Sequence, residues 1–141
     1  NTLPTSIPSE QDRPRRFGAR YRATRVLKAN AAGETLRGID AVDGREVVIR
    51  TMITRDDAAG DRLAQEFALL TVLDGTDLIR PLEVGRQGGV LYWVQPYVAG
   101  VTLEAHLGAE RLTTAEALVV GRGVLATLAV AHEHGFLHRD V

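Results

Sequence analysis

Cysteine is absent from the sequence, which excludes disulfides, zinc ribbons and thiol nucleophiles. Lysine is nearly absent too: Lys28 is the only one, and the remaining basic residues are arginine. An excess of charge is also missing, since 17 basic residues face 18 acidic ones for a net charge of −1. That balance leaves no electrostatic footprint for nucleic acid or an anionic membrane surface. No apolar run approaches the roughly 18 residues of a membrane span, and no charged-then-apolar start resembles a signal peptide. The expectation is a cytoplasmic protein with no membrane span in this segment. What is present, 45% apolar and 25% charged residues over 141 positions, is the composition of a soluble globular domain. The sequence starts at Asn1 rather than methionine and stops at Val141 directly after His138, Arg139 and Asp140, so both ends read as cut.

Residues 1–18 begin with a proline-, serine- and charge-rich stretch without apolar periodicity and read as a flexible leader. From Tyr21 the pattern becomes β: YRATRVL, ETLRGIDAV and REVVIRTM, with Asp43-Gly44 as the hairpin turn between the last two. In DDAAGDRLAQEFALLTVLDG, Leu63, Phe67 and Leu70 recur at helical spacing and Asp74-Gly75 ends the run. DLIRPLEV and VLYWVQPYV read as two further strands joined by Gln87-Gly88-Gly89, the second ending near Pro96, which has no N–H for a ladder. A short helix over TLEAHL and a long one from about Thr114 to His134 follow. Thr113 or Thr114 with Glu116 suits the start of the long helix and Gly135 its stop. The expected fold is α+β: a five-stranded antiparallel sheet with one helix, then further helices.

The closing segment, a long helix followed by Gly135, Phe136-Leu137 and His138-Arg139-Asp140, resembles the start of the catalytic loop in the eukaryotic-like Ser/Thr protein kinases of bacteria. The resemblance runs from about residue 20 to 141, because five strands and one helix precede that segment in the kinase order. It implies a kinase N-lobe over residues 19–98 and the opening of a helical C-lobe over 99–141. Asp140, with His138 and Arg139, would be the catalytic-loop group that orients the substrate hydroxyl during γ-phosphoryl transfer from ATP and magnesium.

The same resemblance assigns the cofactor-binding positions, and several are altered. Glu66 takes the place of the helix glutamate that holds the basic residue of the third strand; Arg62, four residues earlier, offers it a surface partner instead. Val47-Val48-Ile49-Arg50 stands where Val-Ala-Ile-Lys is expected, so Arg50 replaces the lysine and Val48 adds volume beside the adenine. Lys28-Ala29-Asn30-Ala31-Ala32-Gly33 stands where G-x-G-x-x-G is expected, and only the third glycine, Gly33, survives. Asn30 tolerates left-handed backbone, whereas Lys28 does not help the backbone but supplies the only lysine that can substitute for the missing one. Gln95 falls at the gatekeeper position, and the Val98 amide is the hinge donor left to an adenine. Tyr92 and Trp93 read as core aromatics. His106, His132 and His134 lack metal-ligand spacing, and no metal site is expected.

Two functions follow. Either the 141 residues are part of a Ser/Thr protein kinase, inactive alone because the motifs beyond Asp140 are not among them, or the fold is a pseudokinase serving as a regulatory or protein-interaction module. The expected partners are a protein substrate or a regulatory protein, not nucleic acid. The apolar helix at 114–134 needs a cover, from the rest of a C-lobe or from a second copy of the chain.

Overall fold

The computed structural model describes residues 15–72 and 78–137. Six antiparallel strands form one sheet in the order β1-β2-β3-β4-β6-β5. They are β1 (Arg16–Phe17), β2 (Tyr21–Asn30), β3 (Gly33–Asp40), β4 (Glu46–Ile53), β5 (Glu83–Gln87) and β6 (Val90–Pro96). The α+β reading holds, but the sheet has one strand more than expected. The extra strand, β1, comes from the stretch read as a leader: Phe17 is buried and pairs with Tyr21, so a two-residue strand is held by one aromatic anchor. Residues 1–14 lie outside the described part.

The strand expected over DLIRPLEV starts later and runs further, from Glu83 to Gln87. Pro81 cannot donate to a ladder, and pairing with β6 begins only at Glu83. Its turn is Gly88-Gly89 with φ of 58° and 76°, two consecutive left-handed residues of the kind a tight hairpin requires.

Strand alternation separates two faces. Leu36, Val47, Ile49, Tyr92 and Val94 point inward with Phe17 and Tyr21 to form the core cluster. Each fully buried aliphatic side chain contributes about 1.5–3 kcal/mol. The sheet curls over this cluster until its edges meet. Phe17 lies edge-on against Tyr92 at 5.4 Å between ring centroids, and the Gln87 amide donates to the Arg16 carbonyl at 2.9 Å. Burial and a hydrogen bond from the Tyr92 hydroxyl to Glu83 (2.8 Å) push the Tyr92 phenol up to about 12.

At the end of the sheet holding the Asp43-Gly44 turn, Asp40 is only 2% exposed. Arg20 donates to both of its oxygens at 2.8 Å, and the Val42 amide donates at 2.9 Å. The Arg20 hydrogen bonds hold the Asp40 carboxyl below the usual carboxylate range, against the opposing effect of burial.

Helix α1 (Asp57–Leu69) starts at Asp56, whose side chain accepts from the Ala59 amide at 2.7 Å, and ends in a single 3-10 turn over Leu70–Val72. Its expected stop at Asp74-Gly75 lies outside the described residues. Helix α2 (Leu103–Ala109) and helix α3 (Thr114–Glu133) follow. The start of α3 is a capping box: Thr113 accepts from the Glu116 amide at 3.2 Å, and the Glu116 carboxylate accepts from the Thr113 amide at 2.8 Å. Gly135, at φ 80°, ends it as expected. Helix α3 corrects one expectation, because it is long and apolar enough to cross a membrane by length and composition. Only 6% of its most apolar window is buried among the described residues, although Glu116 and Arg122 interrupt the apolar run.

Candidate nucleotide-binding face

The second sheet face, opposite the core cluster, carries the positions that the kinase resemblance singles out. On β4, Val47, Ile49 and Thr51 are buried, so Val48, Arg50 and Met52 must lie on the other face. Directly opposed residues of antiparallel strands share a face. Arg50 is opposed by Thr35 on β3 and by Trp93 on β6, whereas Val48 is opposed by Arg37 and Gln95. Val48, Arg50 and Gln95 therefore occupy one side of the sheet in two adjacent rows.

Strand β2 brings Lys28 into the same array by a route that alternation alone does not give. Two register shifts, between Ala23 and Arg25 and between Val26 and Lys28, each insert an extra residue. Arg22, Arg25 and Lys28, spaced by three rather than two, consequently share a face: their partners are Ile39, Arg37 and Thr35, alternate residues of β3. The row that results is Lys28, Thr35, Arg50, Trp93. Lys28 and Arg50 sit two strand spacings apart, about 10 Å, with a threonine between them. Both are exposed, and neither has a carboxylate partner among the described residues.

The hairpin tip between β2 and β3 is closed by its own side chain. The Asn30 carboxamide oxygen accepts from the Ala32 amide at 2.9 Å and from the Gly33 amide at 3.1 Å. The next amide, Glu34, donates to Thr51 Oγ1 at 2.9 Å. Three consecutive amides at the degenerate glycine loop are thus already satisfied within the chain. The tip is also pressed onto β4, with the Ile53 amide donating to the Ala32 carbonyl at 2.9 Å. A Cβ on Gly33 would lie 1.9 Å from the Thr51 carbonyl oxygen, so glycine is required here by close backbone approach.

Helix α1 is clamped to this face at both ends. Phe67 stacks on Trp93 with ring centroids 4.8 Å apart and planes 16° from parallel. Arg86 of β5 pairs with Asp57 and, at 2.9 Å, with Asp61. Hydrogen bonds to those two carboxylates raise the Arg86 pKa and keep it charged. Gly60 is buried because Arg86 crosses it: a Cβ there would lie 2.9 Å from the Arg86 Nε. Glu66, one residue before Phe67, is exposed and forms no ion pair with Arg50 or with Arg62 among the described residues. The structure thus places Glu66 and Arg50 on the same side of the sheet without joining them.

At the far end of β6, Pro96 is the last strand residue, as its missing N–H requires. The Tyr97 amide donates to the Glu46 carbonyl at 3.1 Å, and Arg37 stacks over the Tyr97 ring at 4.3 Å while holding Glu46. Val98 is exposed, and its amide makes no hydrogen bond among the described residues, which leaves it open as a donor. Tyr92 is buried in the core and Trp93 packs on Phe67, in agreement with their reading as structural aromatics. His138, Arg139 and Asp140 lie outside the described residues. No group of His, Asp and Glu able to hold a metal ion occurs among the described residues. Sequence reasoning missed the β2 register shifts and the Arg86 clamp. The Asn30 turn was signalled by an asparagine three residues before a glycine.

A curled antiparallel sheet with one helix on its outer face, followed by a hinge and a long helix, is the architecture of a protein-kinase N-lobe and the first C-lobe helices. No protein-family model matches the sequence. The chain is 29% identical over 133 residues to the serine/threonine-protein kinase PrkC of Bacillus subtilis, covering 90% of this chain and 20% of that protein. It is 32% identical over 133 residues to the serine/threonine-protein kinase PkaB of Streptomyces coelicolor, covering 90% of this chain and 31% of that protein. The crystal structure of the Mycobacterium tuberculosis PknI kinase domain superposes with a TM-score of 0.76 at 25% identity, covering 87% of this chain and 51% of that one. Over about nine tenths of its length the chain is thus similar in sequence to bacterial serine/threonine protein kinases and in fold to a solved kinase domain, which supports the protein-kinase superfamily. It spans a fifth to a third of the length of these two kinases and about half of the solved domain.

Proposed function

We propose that this chain is the nucleotide-binding portion of a cytoplasmic Ser/Thr protein kinase that holds ATP phosphates with side-chain cations rather than with a backbone cradle. The observation that carries the reading is the row Lys28, Thr35, Arg50 on the face of the sheet that α1 packs against. Two cations without carboxylate partners among the described residues, separated by a hydroxyl, form a donor set suited to a polyphosphate. The amides of Ala32, Gly33 and Glu34 do not fit that role, since Asn30 and Thr51 already satisfy them.

In this reading Val48 lines the adenine side, Gln95 stands at the gatekeeper position and the Val98 amide donates to the base. Glu66 would orient Arg50 once α1 moves inward. When bound, magnesium neutralises charge on the β- and γ-phosphates. Among the described residues no group of three or more His, Asp or Glu side chains gathers to hold it. Asp140, with His138 and Arg139, would orient the hydroxyl of a serine or threonine on a protein substrate. The apolar surface of α3, where Leu118, Val119 and Leu125 are exposed, is covered in this reading by the remainder of the helical lobe.

The Asn30 closure specifically favours a second reading, a pseudokinase that retains the fold as a protein-interaction or regulatory module. Titrating the full-length protein with ATP and magnesium, while following melting temperature and γ-phosphate transfer to itself and to a generic substrate, separates the two. A stabilisation that grows with nucleotide, together with transfer, is expected. Absence of both at millimolar nucleotide overturns the kinase reading.

A further inference from the structure

We propose that the cleft between Arg16 and Arg22 binds a phosphate dianion, free or esterified to a single hydroxyl, independently of the Lys28–Arg50 row. The two arginines are directly opposed across the β1–β2 pair. Opposed like charges in an antiparallel pair repel, with Cβ atoms only about 4.5–5.5 Å apart. Three neighbouring arginines are neutralised within the fold: Arg15 pairs with Glu34 at 2.7 Å, Arg37 with Glu46 at 2.6 Å and Arg20 with Asp40 at 2.6 Å. Arg16 and Arg22 are exposed and have no carboxylate partner among the described residues. Among the described residues the fold thus holds two cations in a repelling register and supplies them no carboxylate partner.

The pair also lines a concavity. Arg16, Arg20, Arg22 and Ile39 border a cleft of about 360 Å³ that Ala41 and Gly44 also line. Asp40 borders it as well, but its carboxylate is committed to Arg20 and to the Val42 amide, so it is not free to repel an anion. Among the described residues that line the cleft, three guanidiniums stand against one committed carboxylate, with Asp43 4.0 Å from Arg20 beside it, so the Arg16 and Arg22 charges stay uncompensated there. Two guanidinium forks lining one cleft from opposed strand positions suit the tetrahedral oxygens of phosphate, which accept charge-assisted hydrogen bonds in pairs. Arg22 and Lys28 are opposed by Ile39 and Thr35, four residues apart on β3, which puts them about 13 Å apart at ordinary strand rise. The cleft and the Lys28–Arg50 row are therefore separate sites, and either can fail without the other.

The test is titration of the full-length protein with inorganic phosphate and, in a second arm, with a short phosphoserine peptide beside its unphosphorylated form. Backbone amide NMR shifts locate the contact. Saturable shifts at Tyr21, Ile39, Ala41 and Gly44 are expected, with none at the Asn30–Gly33 tip. Arg16→Gln and Arg22→Gln should each weaken binding about tenfold, the loss expected for one charge-assisted contact, whereas Lys28→Ala should leave it unchanged. Tighter binding of the peptide than of phosphate marks an esterified ligand, and equal binding a free one. Shifts at the Asn30–Gly33 tip instead, loss of binding on Lys28→Ala alone, or no saturable shift in the wild type would overturn the proposal, and the wild-type mapping stands even if a variant does not fold.

Discussion

Lys28→Ala in the full-length chain is expected to lower γ-phosphoryl transfer about 100-fold or more, the loss that follows removal of one preorganised donor from a transferring group. Arg50→Ala should cost less, about tenfold. The ranking follows from geometry. Lys28 carries a compact ammonium on a flexible stem, placed by two register shifts on the same face as Arg50. Arg50 offers a planar fork that its expected partner Glu66 does not hold in this structure. A phosphate therefore gains its point charge from Lys28 and only a second, looser contact from Arg50. Arg45→Ala, at the exposed hairpin far from this row, serves as the control and should leave the rate unchanged. Transfer from labelled ATP reads all three variants. If Arg50→Ala proves the more damaging, the lysine is an ordinary strand-end residue and the side-chain mechanism is wrong.

Gly33→Ala is expected to destabilise the protein by about 2–3 kcal/mol, the cost of forcing volume into a packed position. The reason is steric rather than conformational. The new Cβ would sit 1.9 Å from the Thr51 carbonyl oxygen and 2.8 Å from its carbon, both backbone atoms that cannot rotate away. The hairpin tip would have to lift from β4, breaking the Ile53–Ala32 and Glu34–Thr51 hydrogen bonds. Gly44→Ala makes the contrast. It has open space around it but a φ of 75°, so its cost is the left-handed penalty of about 1–2 kcal/mol. Chemical denaturation of both variants checks the order. A Gly33→Ala protein as stable as the wild type would show that the tip does not rest on β4.

Much of this architecture was legible because it depends on local pattern. The β-rich run REVVIRTM after the Asp43-Gly44 turn marked β4, Thr113 with Glu116 marked the start of α3, and the paired glycines at 88 and 89 marked the last hairpin. Strand β1 was hidden because two residues carry no periodicity, and only the burial of Phe17 against Tyr92 makes them a strand. The start of β5 was misplaced because Leu78 to Leu82 are as apolar as a strand, while Pro81 and the partner strand decide where the ladder begins. In the candidate site, Arg50 and Val48 were assigned by the resemblance to Val-Ala-Ile-Lys, and the strand period of β4 puts both on one face. The position of Lys28 did not follow from strand period, since bulges are set by the partner strand and leave no mark in one sequence. Nor did spacing show that Glu66 would be exposed: stacking of Phe67 on Trp93 and the Arg86 clamp fix how α1 is seated.

The central claim is that side-chain cations replace the missing amide cradle. It is tested most directly by isothermal titration of the full-length protein with magnesium-ATP and with adenosine, in the wild type and in the Lys28→Ala, Arg50→Ala double variant. The wild type should bind ATP at least tenfold tighter than adenosine, the preference expected from even one charge-assisted phosphate contact. The double variant should bind the two about equally, with its adenosine affinity unchanged. An ATP preference that survives in the double variant would place the phosphates on other groups and contradict the account.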